Sequence, residues 1–233
     1  MLQQATQKLG FLRTSGILFA VAVSLTIVTA DIVLAWFFFY SGDLPDIKAI
    51  ARYAPKQASS VSDACLERGV VAIPSDALGY NFRAALNAAE GYDRAGYSLL
   101  SFRISRTMFC APSRTLEREW KEARLAEQLK MHFSHDDLVT IFANRVGFGE
   151  NINGVKAASE YYFGKGPDEL NIADAALLAG LVQAPSRYSP FTHPDRALQR
   201  RNAVIDAMVR LHSISDLEGN AAKAAPLAVT ATR

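Results

Sequence analysis

Arg114-Thr115-Leu116-Glu117-Arg118, Asn144-Arg145-Val146-Gly147-Phe148-Gly149, Tyr162-Phe163-Gly164-Lys165, Gln183-Ala184-Pro185-Ser186-Arg187-Tyr188-Ser189-Pro190 and Arg200-Arg201-Asn202-Ala203-Val204-Ile205 follow one another in this order along the chain. Between them the pattern is helical, and Gly147, Gly149, Gly164, Gly166, Pro185 and Pro190 punctuate the intervals. Ser134 with Asp137, Asn171 with Asp174 and Ser215 with Glu218 each have the spacing of a helix start, a side-chain acceptor followed three residues on by a carboxylate. Ile172 to Val182 is nearly all small or aliphatic, which predicts a helix buried on all sides at the centre of an all-helical core. Working back toward the N-terminus, Phe82 to Glu90 and Ser98 to Phe109 also have helical spacing. Before them, Ser60 to Asp63 and Gly69 to Ile73 read as two short strands, the second stopped by Pro74, and together as a small hairpin. The expected fold class is mainly α.

Composition narrows the function classes. The chain has 233 residues, half of them apolar, enough for one sizeable core. A net charge of +2, with no basic run interleaved with aromatics, argues against a nucleic-acid partner. Cys65 and Cys110 have no second Cys or His at ligand spacing, so no zinc site is expected. One disulfide and two independent thiols both remain open for them.

Gly16 to Tyr40 is almost entirely apolar. As a helix it would reach about 37 Å, more than the ~30 Å hydrocarbon core of a bilayer. A cleaved signal peptide is the competing reading, because Val28-Thr29-Ala30 offers small residues to a peptidase. Against that, Asp31 is followed by another apolar run ending in Trp36-Phe37-Phe38-Phe39-Tyr40, whereas a signal's apolar region ends at its cleavage site. The expectation is a 1–15 tail, an uncleaved transmembrane anchor over 16–40, a 41–74 linker carrying the hairpin, a main domain over 75–226 and a 227–233 tail. Basic residues lie on both sides of the span, Lys8 and Arg13 before it and Lys48, Arg52 and Lys56 after it, so their count does not orient it.

The five stretches together resemble the back half of the family 51 glycosyltransferases, lysozyme-like helical domains that polymerise lipid II into peptidoglycan glycan strands. Leu44 to Asp63 is similar to the juxtamembrane entry of the bifunctional penicillin-binding proteins that share this domain. No Ser-x-x-Lys occurs, so the transpeptidase signature of those proteins is missing. The resemblance implies a lysozyme-like domain behind the anchor, with the N-terminus in the cytoplasm and the domain on the outer face of the inner membrane. The implied partners are lipid II, the nascent glycan strand, the membrane and other cell-wall synthesis proteins.

Displacing a lipid diphosphate with a sugar hydroxyl needs a base for the hydroxyl and positive charge for the departing diphosphate. By resemblance Glu90, at a helix end, is the candidate base; a solvated helix-end glutamate is the plain alternative. Glu122 is the second candidate. Arg118, Glu122, Leu125 and Leu129 fall at i, i+4, i+7 and i+11, so a charged pair continues an apolar stripe. Arg118 and Glu122 match the family's Arg-Lys-x-x-Glu motif; an ordinary surface ion pair is the alternative. Ser98, Ser101, Arg103, Arg106, Arg118 and Lys121 are the candidate substrate-binding residues. Asn144, Arg145, Arg200 and Arg201 are expected to support the fold around the cleft. No cofactor and no metal site are expected, although a divalent cation at Glu122 is left open. His132, His135, His193 and His212 show no paired spacing.

The front half departs from the family. The lysine position beside Arg118 is Glu119, and Glu90 is followed by Gly91. The family's mobile segment is largely absent. Where the family has Gly-Gly-Ser-Thr-Ile-Thr-Gln-Gln, this chain has Gly96-Tyr97-Ser98-Leu99-Leu100-Ser101-Phe102-Arg103. Two readings follow: a membrane-anchored glycosyltransferase, or an inactive relative that binds glycan or lipid II as a scaffold. Lytic cleavage by a single carboxylic acid has no motif support here.

Overall fold

A computed structural model describes residues 23–34, 44–61, 69–90, 97–109, 115–149 and 151–230. The chain divides into two units, Met1–Asp43 and Leu44–Arg233. In the first, residues 23–34 form a helix, α1, with exposed Val23, Leu25, Ile27, Val28, Ile32, Val33 and Leu34. Residues 16–22 and 35–40 of the expected anchor, with its aromatic cluster, lie outside the described residues. Among the described residues no helix is long and apolar enough to cross a membrane. Cys65 and Cys110 lie outside them too.

The second unit begins with α2 (Ile47–Ala51), started by Asp46, whose carboxylate accepts from Lys48 N–H. Next come β1 (Ser59–Val61) and β2 (Val70–Ala72), paired antiparallel with Ser60 opposite Val71. Helices then follow: α3 (Tyr80–Ala89), α4 (Tyr97–Met108), α5 (Leu116–His132) and α6 (His135–Arg145). A second two-strand ribbon, β3 (Gly147–Gly149) and β4 (Ile152–Asn153), leads into α7 (Val155–Phe163). The chain closes with α8 (Ile172–Leu181), α9 (Pro194–Arg210) and α10 (Asp216–Ala224).

The three helix starts read from sequence are present. Ser134 and Ser215 form reciprocal capping boxes with Asp137 and Glu218, and Asn171 accepts from Asp174 N–H. Satisfying these otherwise orphaned N–H groups is worth about 1 kcal/mol each. The apolar run in α8 has the expected consequence: Ala173 to Leu181 are all buried, and α3, α9, α7 and α10 pack around them. Gly180 lets α9 come close, since a Cβ there would lie 2.9 Å from Arg200 Cγ. On the other flank α4 packs against α5 and α6.

Two of the quoted stretches are explained by packing. Asn144 at the end of α6 accepts from Ile73 N–H and donates to the carbonyls of Tyr53 and Ile73, tying the hairpin segment to the helical body. Gly154, at φ +82°, lies against Asn144, whose carbonyl would be 2.7 Å from a Cβ there, so only glycine fits. In the third stretch Tyr162 donates to Phe148 O, and burial pushes its phenol up to about 12. Gly164 closes α7 in the left-handed conformation, and Lys165 pairs at 3.1 Å with buried Asp174. This stretch is therefore a helix stop and an ion pair between an exposed lysine and a buried aspartate.

Candidate active site

The C-terminal end of α3 delivers Glu90. Its backbone N–H still bonds to Leu86 O, so the residue is held by the last turn. Apolar spacing along α3 buries Phe82, Ala85 and Leu86, and this places the helix end inside the body. The Glu90 side chain is only 8% exposed. Arg103 of α4 faces it, with Nε 2.6 Å from Oε2 and Nη1 donating to Oε1 at 3.1 Å. The short contact is one of charge, since Oε2 has no directed hydrogen-bond donor among the described residues. Burial raises the Glu90 pKa above the usual carboxylate range, against the opposing pull of Arg103 and then Arg200. A buried carboxylate with a raised pKa and one undirected oxygen is suited to take up a proton.

Glu122, on α5, is held by Arg118 one turn earlier, with Arg118 Nε donating to Oε1 at 2.7 Å. The pair is half-closed to solvent, at 17% and 13% exposure, and directly continues the buried stripe of Leu125 and Leu129. Arg118 also reaches the carbonyls of Arg106 and Phe109 at 3.4 Å and stacks over the Phe109 ring, so it joins the start of α5 to the end of α4. Arg106 stands 4.0 Å from Glu122 with more than half of its side chain exposed.

Helix α4 connects the two carboxylates. Arg103 and Arg106 lie three residues apart, hence on one face, with their Cβ atoms about 5–6 Å apart. One meets Glu90 and the other Glu122. The result is a row of alternating charge, Glu90, Arg103, Arg106, Glu122 and Arg118. Cations set between two carboxylates can accept a diphosphate while one carboxylate handles a proton.

The remaining candidates fall in different places. Ser98 is in α4, and its side chain is outside the described residues. Ser101 is fully buried on the inner side of α4 with Ile104 and Ser105, so its hydroxyl is closed to ligand in this conformation. Leu100 is likewise core, while Leu99 and Phe102 are exposed. Lys121 pairs with Glu117 at 2.7 Å across one turn on the outer side of α5 and holds the Glu117 carboxyl below its ordinary value. Arg145 is buried, donates to Thr107 O and lies over the Tyr53 ring. Arg201, almost fully buried, donates to the carbonyls of Lys223, Ala225 and Pro226, closing the end of α10. Burial lowers its pKa from the usual arginine value.

Arg200 does something else. Its Nη2 reaches Ala89 O at 3.4 Å, its Nε is buried without an acceptor among the described residues, and its charge acts on Glu90. Tyr188 lies under both Arg200 and Arg187, at 5.9 and 5.6 Å. Arg200 and Arg201 are adjacent in one sequence motif but have different surroundings. The signal that separates them is helical phase: neighbours on α9 point about 100° apart, and only one can face α10.

Among the described residues no three His, Cys, Asp or Glu cluster as metal ligands. Around Glu122 the neighbours are guanidiniums, which repel a cation, so these residues do not fit the divalent ion left open above. A groove of about 430 Å³ is lined by Lys56, Ser75, Asp76, Arg83, Asp137 and Thr140 and includes none of the candidate residues.

A family model described as transglycosylase matches residues 77–209. Penicillin-binding protein 1A of Aquifex aeolicus is 38% identical over 146 residues, 63% of this chain and 20% of that protein. Penicillin-binding protein 1A of Escherichia coli is 37% identical over 129 residues, covering 55% and 15%. Penicillin-binding protein 1F of Bacillus subtilis is 34% identical over 113 residues, covering 48% and 16%. This chain thus spans no more than about a fifth of the length of these relatives. A crystal structure of penicillin-binding protein 1A from Haemophilus influenzae aligns over 71% of this chain and 19% of its own, at 23% identity and a TM-score of 0.46.

Proposed function

The chain belongs to the transglycosylase family, the family 51 glycosyltransferases, and from that membership we propose that it is a membrane-anchored enzyme extending peptidoglycan glycan strands from lipid II. The observation that best supports this is Glu90, a carboxylate 8% exposed, raised in pKa by burial and placed beside Arg103. In the proposed reaction Glu90 takes the proton from the attacking sugar hydroxyl of the acceptor. The new C–O bond forms at the anomeric carbon of the partner sugar as its bond to the lipid diphosphate breaks. Arg118, fixed by Glu122 and two carbonyls, and Arg106 beside it offset the charge that develops on the departing diphosphate.

The test is polymerisation of labelled lipid II by the purified full chain in detergent. Wild type should form polymer. Glu90→Gln should lower the rate by about 10²–10⁴-fold, the usual contribution of a general base. Glu122→Gln, which removes the charge that pairs with Arg118, should also lose most activity. A wild type that makes no polymer overturns the enzyme reading.

A second reading is favoured by one specific feature. Arg103 stands where the family pattern has its last glutamine, and it already neutralises Glu90. A chain that binds lipid II without turning it over would be the inactive scaffold.

A further inference from the structure

The arginines around the two carboxylates are not held alike. Arg118 is fastened on three sides, to Glu122 and to the carbonyls of Arg106 and Phe109. Arg103 has Glu90 as its sole polar partner among the described residues, and a third of its side chain is open to solvent. Its contact is also imperfect, since the closest approach, Nε to Oε2 at 2.6 Å, is not a directed hydrogen bond. Glu90 is the opposite case, buried at a helix end and unable to follow an outgoing partner.

We propose that Arg103 is an exchangeable counter-ion: it holds Glu90 in the absence of ligand and moves to the diphosphate of an incoming lipid-linked sugar, which frees the carboxylate to act as base. This rests on the glycosyltransferase reading and names a control within that site. A diphosphate carries more charge than a carboxylate and presents paired oxygens to the planar guanidinium, so it competes for the same donors. Arg106, on the same face of α4 and more exposed, extends the cationic surface toward which Arg103 would turn. Arg200, which reaches Ala89 O and whose charge also acts on Glu90, stays in place and keeps the carboxylate from being wholly uncompensated. Arg103 is thus a positioning residue, and the glutamine-to-arginine departure couples ligand arrival to release of the base.

Such exchange is reciprocal: whatever loosens Arg103 from Glu90 must strengthen its hold on the anion. The experiment is calorimetric titration of the full chain in detergent with inorganic pyrophosphate, using wild type, Glu90→Gln, Arg103→Gln and the double variant. Glu90→Gln should bind pyrophosphate about tenfold more tightly than wild type, within the ordinary range of coupling between sites. In the Arg103→Gln background the same change should gain less than about twofold, leaving only the general effect of one fewer negative charge. An equal gain in both backgrounds, or none in wild type, overturns the proposal, as does a wild type that binds no pyrophosphate. Arg103→Lys, which keeps the charge without the fork, carries the cycle if Arg103→Gln does not fold, and an undiminished gain there also overturns it. Turnover does not enter the measurement. A protein that follows this pattern yet makes no polymer would refute the enzyme reading and leave the exchange standing.

Discussion

Glu90 shows how a single side chain can be costly to the fold and suited to the chemistry proposed for it. Its folded pKa is raised, so the folded protein holds the proton more tightly than the unfolded chain does. The stability this confers is complete below the ordinary carboxylate value near 4.5 and is lost as pH rises through the raised folded value. Glu90→Gln should therefore stabilise the protein at pH 7 by about 1 kcal/mol. For a chain of this size that is about 2–4 °C in melting temperature, and the difference should close toward pH 4. Melting curves at the two pH values check this, and a pH-independent difference would refute the burial argument. At this scale the Arg118 to Glu122 pairing was legible because i, i+4 spacing on a helix is local information, whereas Glu90 was marked by resemblance alone. The Arg103 to Glu90 contact joins two helices across residues 91–96, and the approach of Arg200 to Ala89 joins residues 111 apart in the sequence. No local spacing encodes either.

Among elements, α6 ties the hairpin segment to the helical body. Every residue from Leu138 to Arg145 is buried. Asn144 makes three buried hydrogen bonds to the backbones of Tyr53 and Ile73, so its side chain replaces a missing strand partner for the hairpin segment. Asn144→Ala would remove three buried hydrogen bonds to the backbone and should cost about 3 kcal/mol. That corresponds to a melting temperature lower by about 6–12 °C, measured by circular dichroism. A loss below about 1 kcal/mol would mean that water replaces the amide. Helix starts were legible to the residue, since Ser134, Asn171 and Ser215 cap by contacts within four positions. The hairpin was legible as two short runs, but its first strand begins at Ser59, one residue before the expected start, and the expected Ser62 and Asp63 lie outside the described residues. Three-residue strands carry too little alternation to fix their own ends.

For the whole molecule, the apolar run of α8 and the five quoted stretches were enough to predict a helical body, the run because it describes what must be buried together and the stretches because their order resembles a helical family. The anchor is a different kind of inference, from length and hydropathy against the thickness of a bilayer. On this reading the full chain should stay in the membrane pellet after an alkaline carbonate wash, while Leu44–Arg233 alone should be released by it. Recovery of the full chain in the supernatant would refute the anchor.

The tight passage at Gly180 has a consequence for inheritance. Glycine becomes alanine or serine by one base change, and either would drive a Cβ into the stem of Arg200. That stem belongs to the guanidinium that reaches Ala89 beside Glu90. Drift at a core position remote from any substrate would thus be felt at the candidate base, and lineages that need this arginine's posture should tolerate only glycine there.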